Sequence, residues 1–74
     1  MDLTKEQTDA LANYLKAQVA FDAHVAAAKV GYSAKMCDAV KSTINELKKY
    51  FAADEVDFLT SGADRPELIK HFLG

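Results

Sequence analysis

The stretch TKEQTDALANYLKAQVAFDAHVAAAKVGYS, residues 4–33, decides the fold. It opens on Thr4 with Gln7 three residues later, a spacing that lets each side chain satisfy the other's backbone N–H at a helix start. Glu6 and Asp9 put negative charge in or near the first turn, where the helix dipole favours it. From there to Val30 no glycine or proline interrupts a run of alanine and other good helix formers. The spacing predicts a helix over about residues 4–30, roughly 40 Å long at the usual rise per residue.

This helix carries two apolar stripes. One contains Leu11, Tyr14, Phe21, Val25 and Ala28; the other contains Ala12, Leu15, Val19, Ala23, Ala26 and Val30. Together they span about half the circumference, wider than the ~100° stripe that a single neighbour covers. The first helix is therefore expected to touch neighbours on two sides. Gln18, Asp22 and Lys29 project between the stripes. A buried carboxylate without a partner is costly, so Asp22 either lies in a seam open to water or pairs with a lysine or hydroxyl across an interface.

Gly31-Tyr32-Ser33 reads as a tight connector, with Gly31 in the terminating position and Ser33 as the next N-cap. So short a link implies an antiparallel hairpin. Beyond it, Cys37, Val40, Ile44, Leu47 and Phe51 recur in steps of three and four, while Lys35, Asp38, Lys41, Glu46, Lys48 and Lys49 fall on the other side. That is an amphipathic helix, expected over 34–52. It either runs on, with Phe58 on the same stripe as Phe51, or breaks near Ala53-Asp54 so that Asp54 caps a new turn from Glu55 to Thr60; we favour the break. Asp64-Arg65-Pro66-Glu67 then signals a last helix over 65–73, with Asp64 as N-cap, and Leu68, Ile69, Phe72 and Leu73 on one face.

The expected fold is thus all-α: one domain over 1–74, an antiparallel helical hairpin with one or two short C-terminal helices packed across it. Its expected core is Leu11, Leu15, Val19, Val25, Val40, Ile44, Leu47 and Phe51, sealed by Phe58, Leu68 and Phe72 at the end away from Gly31. A chain of 74 residues buries only about 60% of its unfolded surface and is marginal alone. A single cysteine, Cys37, rules out an internal disulfide, leaving helix packing or association to make up the difference.

Chemistry-bearing patterns are sparse. Cys37 falls on the inner stripe of its helix, opposite Ala27 or Ala28, and reads as a core cysteine rather than a nucleophile. His24 and His71 are the only imidazoles, and no H-x-x-x-H, C-x-x-C or E-x-x-H spacing occurs, so no metal and no cofactor is expected. His71 in the last turn suits the dipole there. Residues 54–74 hold five acids against Arg65 and Lys70, a balance of −3, whereas residues 33–53 balance at +2. The acidic cluster Asp54, Glu55 and Asp57 reads either as caps and solvated faces or as a docking surface for a basic partner.

A net charge of −2 argues against a dominant nucleic-acid or anionic-membrane role. No apolar run is long enough to span a bilayer, and MDLTKEQTD lacks the features of a secretory signal. With an unpaired cysteine, the expected location is cytoplasmic. These exclusions leave a non-enzymatic protein-interaction module: an adaptor, assembly factor or small surface-occluding inhibitor, of the kind phages and mobile elements also encode against host defences. Its partner is expected to be another protein, including a second copy of itself as a homodimer, met through Tyr14, Gln18, Val19, Phe21, Asp22 and Val25. The alternative is a small nucleic-acid-binding regulator using Lys41, Lys48 and Lys49 on the second helix. An enzyme, the third class, needs a cleft that two or three packed helices rarely supply.

Overall fold

Thr4 and Gln7 start the first helix as their spacing predicts. In a computed structural model of the chain, which describes residues 3–28 and 34–74, the Thr4 N–H donates to Gln7 Oε1 (3.0 Å) and the Gln7 N–H donates to Thr4 Oγ1 (3.1 Å). The described residues form four helices: α1 (Lys5–Ala28), α2 (Ala34–Tyr50), α3 (Ala53–Thr60) and α4 (Arg65–Phe72). The long axis of the molecule, 39 Å, is close to the length of α1 itself. α2 packs along α1, α3 against α2, and α4 against α1. The fold is the all-α hairpin crossed by short C-terminal helices that the apolar pattern implies. The connector with Gly31 and Ser33, together with Lys29 and Val30, lies outside the described residues.

Gln7 does more than cap. Its Nε2 donates to the Tyr50 carbonyl at 2.9 Å, satisfying one of the acceptors that the end of α2 leaves open. This bond ties the start of α1 to the end of α2, a contact that the antiparallel pairing permits. Gln7→Ala is expected to cost ~1–2 kcal/mol, with faster amide exchange in the last turn of α2. A role confined to capping α1 would leave that exchange unchanged.

The break after α2 comes at Phe51–Ala52, slightly earlier than expected and by a different device. Ala52 is extended (φ −68°, ψ 157°), and its N–H donates to a Glu55 carboxylate oxygen at 3.1 Å. Asp54 is therefore inside α3 and does not cap it. At α4 Asp64 occupies the N-cap position, but its side chain makes no capping bond (φ −109°, ψ 20°); its carbonyl accepts from the Leu68 N–H at 2.9 Å. The turn between these helices needs Gly62, whose φ of +87° is unfavourable for any residue with a Cβ.

The buried core is Ala10, Leu11, Tyr14, Leu15, Val40, Leu47, Phe51, Val56, Leu59 and Leu68. On α1 it is drawn from the first half of the helix, Ala10 to Leu15. Leu11, Leu15, Val40, Leu47, Phe51 and Leu68 are where the sequence puts them. Ile44 and Phe72 are half-buried against this core. Three expectations fail. Val19 and Val25 are each 38% exposed, and Phe58 is 49% exposed. The first two lie beyond Leu15, the last fully buried side chain of α1. Phe58 turns outward because the extended Ala52 breaks the phase linking it to Phe51; Val56 and Leu59 turn inward in its place. Among the described residues no helix is long and apolar enough to cross a membrane.

Candidate functional site

Of the six expected interface residues, the structure gathers three into an internal hydrogen-bonded ring. Tyr14, Gln18 and Asp22 follow one another at four-residue spacing along α1 and so share a face. The Tyr14 hydroxyl donates to Gln18 Oε1 (3.2 Å), and Gln18 Nε2 donates to Asp22 Oδ1 (2.8 Å). The ring closes through Arg65, the first residue of α4, which donates to Asp22 Oδ2 (3.3 Å) and to the Tyr14 hydroxyl (3.2 Å). Each group uses the polarity it has: the guanidinium only donates, the carboxylate only accepts, and the phenol and amide do both. Arg65 Nε is buried and has no hydrogen-bond partner among the described residues. Its guanidinium lies over Gly62, where an added Cβ would meet it at about 3.6 Å.

This arrangement engages all three residues within the chain. Tyr14 is fully buried and belongs to the core. Asp22 is half-exposed and finds its cation within the chain, in Arg65, rather than across an interface. The sequence shows the polar line between the apolar stripes, but Arg65 sits 43 residues beyond Asp22, and no local spacing connects them. Burial pushes the Tyr14 hydroxyl above its ordinary value of 10.0; Arg65 opposes this by its charge and hydrogen bond, and Asp22 adds to it. The phenol is thus held neutral, as a structural donor and acceptor that clamps α4 onto α1.

The other three residues lie toward the turn. Phe21 is half-buried against the core, while Val19 and Val25 stay open. Ala20, Ala23, Ala26 and Ala27 are exposed as well. Both stripes of α1 are therefore covered in its first half and lose cover in its second. The stripe of Val19, Ala23 and Ala26 is the more completely bare. Across the hairpin, Cys37 is half-buried and unpaired, not a full core residue.

The remaining charged groups occupy the periphery. On α2 Lys49 pairs with Glu46 at 2.8 Å in the open, and Glu46 holds its ammonium above the usual value through that hydrogen bond and its charge. Lys41 and Lys48 are exposed. His71 is exposed, with its ring nearly perpendicular to that of Phe72 (4.7 Å between centroids, 78° between planes). Among the described residues no three His, Cys, Asp or Glu side chains come together as a metal site would require. A shallow hollow of about 260 Å³ opens at the base of α3, lined by Leu3, Phe51, Asp54, Glu55, Phe58 and Leu59. In comparison with known proteins, the chain matches no family model, and neither the curated proteins nor the solved structures hold a significant match to it.

Proposed function

We propose that this chain is a non-enzymatic protein-interaction module, an adaptor, assembly factor or small inhibitor that acts by occupying a surface. A cytoplasmic location, and self-association as a twofold dimer, form part of this reading. One observation carries it. The second half of α1 leaves Val19 and Val25 each 38% exposed among exposed alanines, while every fully buried large side chain lies elsewhere. Small residues between two valines let another helix approach closely, and covering them would remove from water the apolar surface that so short a chain leaves open. The surface in this reading is narrower than the six residues singled out from sequence. It rests on Val19 and Val25, with half-buried Phe21 beside them, while Tyr14, Gln18 and Asp22 are engaged with one another and with Arg65.

The wild-type protein should sediment as a dimer at micromolar concentration. Val19→Glu should weaken the dimer about 100-fold or more, as burying an unpaired carboxylate at the contact would require, without loss of helical content, because Val19 makes little contact with its own core. A monomeric mass for the wild type across that concentration range would count directly against self-association. Val19 is a better probe than Phe21, whose partial burial would mix folding with assembly.

A further inference from the structure

We infer that the hollow at the base of α3 is a second docking site, which takes a basic, apolar segment of another protein. The inference goes beyond the proposed self-association and uses the opposite end of the hairpin. It starts from the break at Ala52, which rotates α3 so that Phe58 stands 49% exposed, the most exposed large hydrophobic among the described residues. With Leu3, Phe51 and Leu59 it forms the apolar floor of the hollow, and Asp54 and Glu55 stand on its rim. At about 260 Å³ the hollow falls below the ~300–1,000 Å³ of pockets that enclose a small molecule. It matches instead an anchor side chain or two from a peptide, an apolar contact ringed by polar groups.

Charge decides the occupant. Among the described residues no lysine or arginine lines the hollow, and neither Asp54 nor Glu55 forms an ion pair. Glu55 spends one carboxylate oxygen on the Ala52 N–H. Asp57 faces the neighbouring hollow that Lys48 shares, so the unpaired negative charge concentrates on the rim beside Phe58. Nucleic acid and anionic lipid are repelled by such a rim. A segment with one aromatic or branched aliphatic anchor flanked by lysine or arginine meets both its floor and its edge. A second copy of this chain would offer Tyr50 beside Lys48 and Lys49, but Lys49 is already paired with Glu46.

The test uses the full-length protein and short peptides selected on it from a random displayed library. Enriched peptides should carry one Phe, Leu, Ile or Trp with two or more flanking Lys or Arg. Their amide NMR shifts should centre on Leu3 and on residues 51–59. Binding should fall at least tenfold for Phe58→Ala and severalfold for Asp54→Asn, both exposed positions at which helical content is kept. Failure to enrich any peptide, enrichment without a basic excess, or undiminished binding to Phe58→Ala would overturn the site. A drop in the mass of the free protein on Phe58→Ala would assign the hollow to a second copy and overturn it too. Val19→Glu should leave peptide binding unchanged, so loss of self-association and loss of this site are read separately.

Discussion

Leu47→Ala should lower the melting temperature by about 10–25 °C, the largest effect expected of any single substitution here. Leu47 has no exposed surface and stands on the inner stripe of α2, in one cluster with Leu11, Tyr14 and Leu15, which are equally inaccessible. Truncating a buried leucine costs ~2–5 kcal/mol, because the lost transfer energy is joined by the cavity left behind. For a domain of this size each kcal/mol moves the midpoint by ~4–8 °C, and total stability is itself only ~4–11 kcal/mol. The buried side chains all belong to one cluster, and among the described residues no second one would hold the fold if this one were opened. Val19→Ala, by contrast, should shift the monomer's stability by no more than ~0.5 kcal/mol. Thermal unfolding followed by helical circular dichroism checks both. Comparable losses at the two positions would mean that the core extends toward the turn.

That contrast marks how far the sequence could be read. Val19 and Leu47 both sit on good apolar stripes, and periodicity grades them alike. What separates them is which neighbour lies opposite, and that depends on where α3 and α4 end up. Local devices were legible because their partners are three or four residues away: Thr4 with Gln7, the alternation through Val40 and Leu47, the tail that begins at Arg65. Phe58 was misread for a specific reason. A stripe continues from Phe51 to Phe58 only if the helix is unbroken between them, and one extended residue, Ala52, resets the phase so that Val56 and Leu59 take the inner positions. The expected break was correct in kind, yet its consequence for the face of α3 depended on which residue adopted the extended conformation. The width of the apolar arc on α1 did imply two neighbours, and α2 and α4 are those neighbours. It could not say that α4 would cover Tyr14 and leave Val25 bare.

Asp22 shows the same limit from the polar side, and it leads to the second large effect. Tyr14→Phe and Arg65→Met should each cost ~1–3 kcal/mol, since either change leaves polar atoms in the ring without their partners. Arg65 is the only cation that reaches Asp22 among the described residues, and the side chain also spans the contact between α4 and α1. The two losses should therefore not add. A double-mutant cycle should return a coupling of at least ~0.5 kcal/mol; if they add, the four groups do not act as a unit. pH supplies an independent reading. With its folded value raised above 10.0 by burial, the Tyr14 hydroxyl keeps its proton in the native state where the unfolded chain has given it up. Its stabilising contribution is complete below about pH 10 and is lost as pH rises through the folded value. The wild type should accordingly lose stability more steeply than Tyr14→Phe on the alkaline side, and the gap between them should narrow there. Parallel alkaline limbs would mean that the phenol is open to solvent, and the clamp between α1 and α4 would then have to rest on Asp22 and Arg65 alone.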